Sequence, residues 1–248
     1  MKILLLDIET SPNTAHVWGL HKQHVSVKQL TDSSYTLCWA AKWYKKGRVM
    51  FDSIPKSGHT EMIKRVHALI DEADAIIHYN GSKFDMPTLN KEFLLLGMGP
   101  PSPYKQIDLL KTTRKQFRFP SNKLDYIAQA LGLSGKVKHE GHELWTKCME
   151  GDPAAWRKME KYNKQDVLLL EDVYDRLLPW IDGHPNWGLY VDEEDPTCPN
   201  CGSTHLTKEG FRKTTTEIYQ RYHCQDCGRW PRGRRSVVAP ANKTHILV

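Results

Sequence analysis

The chain opens with Ile3-Leu4-Leu5-Leu6-Asp7-Ile8-Glu9-Thr10, an apolar run broken by two acids two positions apart. Such a run suits a strand buried on both faces, as found in sheets covered by helices. Side chains alternate along a strand, so Asp7 and Glu9 emerge on the same face near its end. Converging carboxylates repel and raise each other's pKa values, and divalent cations remove that repulsion. The same run resembles the start of a secretory signal. It is too short for one, and acids stand where a small-residue cleavage site belongs. No apolar run approaches the ~20 residues that cross a bilayer, so a cytoplasmic protein with no membrane partner is expected.

The following residues supply partners for that strand. Residues 35–44 and 48–54 read as strands joined by Lys45-Lys46-Gly47. Met62, Ile63, Val66, Leu69 and Ile70 repeat at the helical period over 61–71. Residues 75–79 form a short strand, Asn80-Gly81-Ser82 turns out of it, and a helix follows to about Leu96. From Asp108 to Leu178 the pattern is mostly helical. Within it, Gly132 closes one helix, and Gly151-Asp152-Pro153 opens another segment. A long helix over 161–178 carries Val167, Leu168, Leu170, Val173, Tyr174 and Leu177, and Pro179 ends it. Residues 11–34 read as polar and irregular, with His16, His21 and His24 as solvated residues. Strands, then mixed elements, then helices predict an α/β fold: a mixed-direction sheet flanked by helices.

Charge divides the chain. The whole carries +6; residues 196–248 hold nine Lys or Arg and three Asp or Glu, which is again +6, so residues 1–195 are formally neutral. A basic segment of this kind points to a polyanionic partner. It also carries Cys198-Pro199-Asn200-Cys201 and Cys224-Gln225-Asp226-Cys227, two C-x2-C pairs that point to a closed tetrahedral Zn²⁺ site, although the 22 residues between them slightly exceed the ~15–20 typical of such sites. Gly202 and Gly228 let the backbone turn around the sulfurs. A module this small lacks the core to fold alone, so one structural zinc is expected to stabilise it. Cys38 and Cys148 fit no ligand spacing and read as ordinary buried residues. Aromatic and basic residues alternate between and after the pairs, and Arg221, Arg229, Arg232, Arg234 and Arg235 are candidates to track phosphates. The predicted organisation is a domain over 1–181, a linker over 182–195, a zinc-binding module over 196–235 and a tail over 236–248.

Two further acids complete the picture. Asp85 follows Asn80 at a strand's C-terminal end, where sites form in α/β sheets. Tyr162 and Asp166 lie four apart on the long helix and therefore on one face. Asp108 reads as a helix N-cap. Asp7-Ile8-Glu9-Thr10, Asn80 through Asp85, and Tyr162 through Asp166 resemble, in order, the three motifs of DEDD-superfamily 3′–5′ exonucleases. Those enzymes share the RNase H-like fold with polymerase proofreading domains. The Tyr-x-x-x-Asp spacing is that of the tyrosine subclass. Residues 123–132 and the approach from Gly151 to Asp166 are similar to the corresponding parts of that family and of family B polymerases. The segment from Cys198 to Arg235 resembles transposase zinc ribbons.

The resemblance implies a metal-dependent 3′–5′ exonuclease that hydrolyses phosphodiesters, with DNA favoured and a single-stranded 3′ end as substrate. It implies two Mg²⁺ or Mn²⁺ ions held by Asp7, Glu9, Asp85 and Asp166, with Tyr162 orienting the attacking water. Thr10, Asn80 and Phe84 would shape the substrate pocket. The alternatives are a structure-specific or transposase-type endonuclease and an inactive nucleic-acid-binding protein. Replication, repair and recombination would each supply a different partner, and the residues favour none of them.

Overall fold

The computed structural model describes residues 1–22, 24–133, 141–192 and 195–238. Glu193 and Glu194 of the expected linker, and the expected tail from 239 onward, lie outside the described residues. The chain divides into two compact units, one spanning Lys2 to Val173 and one from Tyr174 onward.

The first unit is built on a five-stranded sheet. β1 (Ile3–Thr10) sits at its centre. A two-stranded ribbon of β2 (Thr14–Ala15) and β3 (Leu30–Asp32) rises from the loop after it. The chain then returns as β4 (Thr36–Trp43), antiparallel to β1, and turns into β5 (Val49–Ser53). The short α1 (Ile54–Ser57) and the longer α2 (His59–Glu72) lead to β6 (Ala75–His78), which runs parallel to β1 on its other side. After α3 (Asp85–Leu95), β7 (Lys105–Asp108) adds the parallel edge. The strand order is β5-β4-β1-β6-β7. Four helices follow: α4 (Leu109–Gln116), α5 (Leu124–Ala130), α6 (His142–Met149) and α7 (Pro153–Leu177). This mixed sheet flanked by helices is the architecture the sequence predicts.

Strand alternation decides where the core and the polar face lie. Leu4, Leu6 and Ile8 enter a cluster with Met62, Ile63, Val66 and Ile70 of α2 and with Met86, Leu89 and Phe93 of α3. The other face of β1 carries Leu5, Asp7 and Glu9, and Asn163 of α7 bonds to Asp7. Lys42 of β4 and Glu171 of α7 form an almost buried ion pair, and Glu171 Oε1 also accepts from Lys45 N at 2.9 Å. These contacts fix the helix against the strands. The register shifts between Glu9 and Thr10, a bulge at the carboxylate end of β1.

The structure differs from the sequence reading at four points. Residues 105–108 form a strand where the sequence reading assigned none, and residues 11–34 contain the short β2–β3 pair. Along α7, Leu169 is buried where Leu168 lies 36% exposed, and the helix begins at Pro153. Asp152 Oδ1 accepts from Ala154 N at 2.8 Å, which gives that helix an earlier start than its apolar period suggested.

The second unit contains an antiparallel sheet of β8 (Leu206–Lys213), β9 (Ile218–Cys224) and β10 (Arg232–Ser236), in the order β10-β9-β8. Ile181, Asp182, His184 and Asn200 are tied into this unit. Tyr174 Oη lies 2.7 Å from His184 Nε2, and Asn200 Nδ2 donates to Leu178 O at 2.8 Å and to Ile181 O at 3.3 Å. Arg229 donates to Pro179 O at 2.7 Å and faces Asp182 at 3.5 Å.

Candidate functional site

Three acids from two elements meet in the first unit. Asp7, Glu9 and Asp166 each offer a carboxylate oxygen, and these oxygens lie within 4.8 Å of one another. Strand period brings Asp7 and Glu9 to one face, and the helical register of α7 delivers Asp166. Asn163 holds the arrangement: its Nδ2 donates to Asp7 Oδ2 at 2.6 Å, and its own side chain is fully buried. The sequence reading missed this residue. Its signal is its position, three before Asp166 and so on the same helix face, as a polar residue at an apolar place.

Tyr162 lies one turn before Asp166, is 8% exposed, and packs edge-on against Trp145 with ring centroids 6.0 Å apart. Burial pushes its phenol far above the ordinary range, and the charges of Asp166, Glu9 and Asp7 push it further. The hydroxyl is therefore a donor throughout the physiological pH range. Cys38 shares this electrostatic setting: burial, then Glu9 and Asp7, raise its thiol.

Asp85 is placed differently. It begins α3 and accepts from Ile8 N at 3.2 Å, between the two acids of β1. It is 5% exposed, and burial pushes its carboxyl up to about 7, against the opposing effect of its backbone hydrogen bonds. It is not one of the three acids whose oxygens cluster within 4.8 Å. Asn80 sits at φ 71 in the turn before it, and Phe84 is 46% exposed. Thr10 is half-buried at the bulge.

The turn holding Asn80 is fixed from below. Asp108 Oδ1 accepts from Asn80 N at 3.0 Å and from Leu110 N at 3.1 Å, and Ser82 Oγ donates to its Oδ2 at 2.6 Å. Asp108 is thus the predicted N-cap of α4 and also the anchor of the 80–82 turn. His78 lies beside it, with Nε2 3.0 Å from Gln106 Oε1, and burial lowers its pKa. Gly81 packs on this ring so closely that an added Cβ would come within 2.5 Å of it. A cleft of about 560 Å³ opens alongside, lined by Tyr79, Asn80, Arg114, Asn122, Lys123 and Tyr162 among others. Arg114 and Lys123 are cations that the sequence reading did not single out.

Hard carboxylate oxygens in this number suit Mg²⁺ or Mn²⁺. The second unit holds the other donor set. Cys198 Sγ lies 3.7 Å from Cys227 Sγ, Cys201 Sγ lies 3.6 Å from Cys224 Sγ, and all four sulfurs lie within 4.8 Å of one another. Four sulfurs at ~2.3 Å around a tetrahedral Zn²⁺ would be separated by about 3.8 Å, so the cluster fits that ion. The crowded sulfurs split in acidity. Hydrogen bonding from Cys201 pushes Cys198 down to about 5, and the same contact raises Cys201 well above its ordinary value. Burial pushes Cys227 up to about 12.

The candidate arginines of this unit are spread over several roles. Arg232 lies 3.7 Å from the Tyr219 ring centroid and Arg221 lies 4.8 Å from that of Trp230, which also stacks on His223. Arg234 and Arg235 are exposed and line, with Arg232 and Tyr222, a second cleft of about 410 Å³. Arg229 faces Pro179 and Asp182, as described above. Among the described residues, no helix is long and apolar enough to cross a membrane.

Comparison with known proteins places this geometry. No curated protein matches the sequence. Among solved structures the chain is similar to the family B DNA polymerase from the hyperthermophilic archaeon Pyrobaculum calidifontis. The TM-score is 0.55 and the identity 21%, over 72% of this chain and 24% of that one. The likeness is one of fold, and this chain spans about a quarter of the polymerase's length. The family model of the RNase_H superfamily matches residues 4–178, and the chain belongs to that superfamily.

Proposed function

We propose that the chain is a metal-dependent 3′–5′ exonuclease of the tyrosine-type DEDD class that acts on nucleic acid, DNA above all, and that its four-cysteine module is a structural zinc ribbon that helps to hold the strand. The observation that carries this reading is the convergence of Asp7, Glu9 and Asp166 from β1 and α7, with Tyr162 close enough for burial and their charges to raise its phenol.

In this reading Asp7, Glu9 and Asp166, with Asp85 beside them, hold two Mg²⁺ or Mn²⁺ ions. When bound, such ions lower the pKa of water and neutralise charge on the phosphate oxygens. The chain's own residues do the rest. Asn163 keeps Asp7 in one orientation, so no binding energy is spent in ordering it. Tyr162 donates its hydroxyl hydrogen and so aligns the attacking water with the scissile phosphorus. The P–O3′ bond breaks, the 3′ oxygen takes up a proton, and a nucleoside 5′-monophosphate leaves. Asp85, neutral below about pH 7, gives up its proton when it becomes a ligand, so metal affinity rises with pH through that region. Arg114 and Lys123 line the cleft where the next phosphates would lie.

The test is an oligonucleotide labelled at its 3′ end and incubated with Mg²⁺. Wild type should release labelled mononucleotide, and Asp7→Ala should reduce the rate by at least about 10³-fold. Equal rates would end the enzyme reading. Cutting of a covalently closed circle would replace it with an endonuclease reading.

A further inference from the structure

The segment between β1 and β4 has a firm root and an apolar, cationic tip. At the root, Thr14 pairs with Asp32 and Ala15 with Leu30, and His16 N donates to Gln29 O at 3.0 Å. Gln29 Nε2 returns a bond to His16 O at 3.0 Å, and Ser26 and Gln29 close a capping box. Below them, Ser11 N donates to Tyr35 O at 2.8 Å and Ser34 N to Asn13 Oδ1 at 2.7 Å. The tip shows the opposite character. Trp18 is 100% exposed, Leu20 90% and Val27 83%. An indole offers some 150–250 Å² of mostly apolar area, and here all of it faces water. A tip that only closed a loop would need none of it.

The charge of the arm selects what covers that surface. From Ser11 to Thr31 there is no Asp or Glu, and the segment carries Lys22, Lys28, His16, His21 and His24. Lys22 and Lys28 are both exposed. An exposed aromatic face on an arm that also carries exposed cations suits an unstacked base flanked by phosphates, whereas bases inside a duplex are already stacked on each other. The arm also leaves the sheet directly after Thr10, the residue next to Glu9. Trp18 lies nine positions after Glu9, a reach of about 30 Å at most.

We propose that residues 14–22 and 24–32 form a clamp for single-stranded nucleic acid: Trp18 stacks on an unpaired base, and Lys22 and Lys28 take adjoining phosphates. This deepens the exonuclease reading and rests on it, because the clamp would hold the strand whose end enters the carboxylate site.

The test separates the two ideas by measuring binding without cleavage. In the Asp7→Ala background the full-length chain is titrated against a short single-stranded oligonucleotide, followed by fluorescence anisotropy. Adding Trp18→Ala should weaken binding about tenfold, and Trp18→Phe should restore most of it. Since the side chain is wholly exposed, thermal unfolding should be the same for all three proteins. Unchanged affinity in Trp18→Ala overturns the clamp, whatever the wild type cuts. So does a wild type that sediments as a dimer and becomes monomeric on Trp18→Ala, since the arm is then a self-association surface. Trp18-dependent binding by a wild type that cuts nothing supports the clamp and sinks the exonuclease reading instead.

Discussion

Tyr162 shows how much one side chain's surroundings decide. Its phenol is too buried, and too close to three carboxylates, to lose a proton at any pH the protein meets. A group that never ionises cannot be a general base, so its contribution is the orientation of a hydrogen bond. Tyr162→Phe should therefore lower kcat by about 10²-fold and leave the shape of the pH–rate profile unchanged. Loss of a limb of that profile would assign the residue a proton-transfer role. The spacing of Tyr162 and Asp166 was legible because helix geometry alone places them together. Asn163 was not. A buried asparagine looks like any polar helix residue until its partner Asp7 is known, and that partner lies 156 positions away. Asp108 was half legible: the local cap could be read from the chain, and the bonds to Asn80 and Ser82 could not.

At the scale of elements, what matters is how α7 is held over the sheet. The pair of Lys42 and Glu171 has side chains only 7% and 15% exposed. Truncating one partner leaves a charge in a nearly dry place, which costs about 3–5 kcal/mol, whereas replacing both with apolar groups is often neutral. Glu171→Ala should therefore lower the urea midpoint sharply, and Lys42→Met with Glu171→Leu should recover most of the loss. Two equally unstable proteins would show that the pair is needed for more than charge balance. Central elements were legible for the same reason that they are central. β1 and α7 bury long apolar runs with a clear period. β7 is a four-residue edge strand with only Ile107 and Asp108 buried, so no period identifies it. The β2–β3 pair has no buried residue at all, and its pairing depends on backbone bonds that leave no trace in composition.

Over the whole molecule, charge and metal chemistry are partitioned. Residues 1–195 are formally neutral and the remainder carries all of the +6, so salt should act mainly through the cysteine-containing module. Each phosphate contact to a single strand contributes about 0.7 to the slope of log K against log salt. Replacing Arg232, Arg234 and Arg235 together by Ala should flatten that slope by about 2. No change in slope would remove these three from the nucleic-acid surface. The convergence of Asp7 and Glu9 on β1 with Asp166 on α7 has a last consequence, for the timing of synthesis. A chain emerging from the ribosome presents the first two acids early and the third only after the greater part of the first unit has followed. On the proposed reading, a nascent chain is harmless to the message that encodes it. Its cutting centre is completed by α7, which follows all five strands of the sheet, once most of the first unit is in place to aim it.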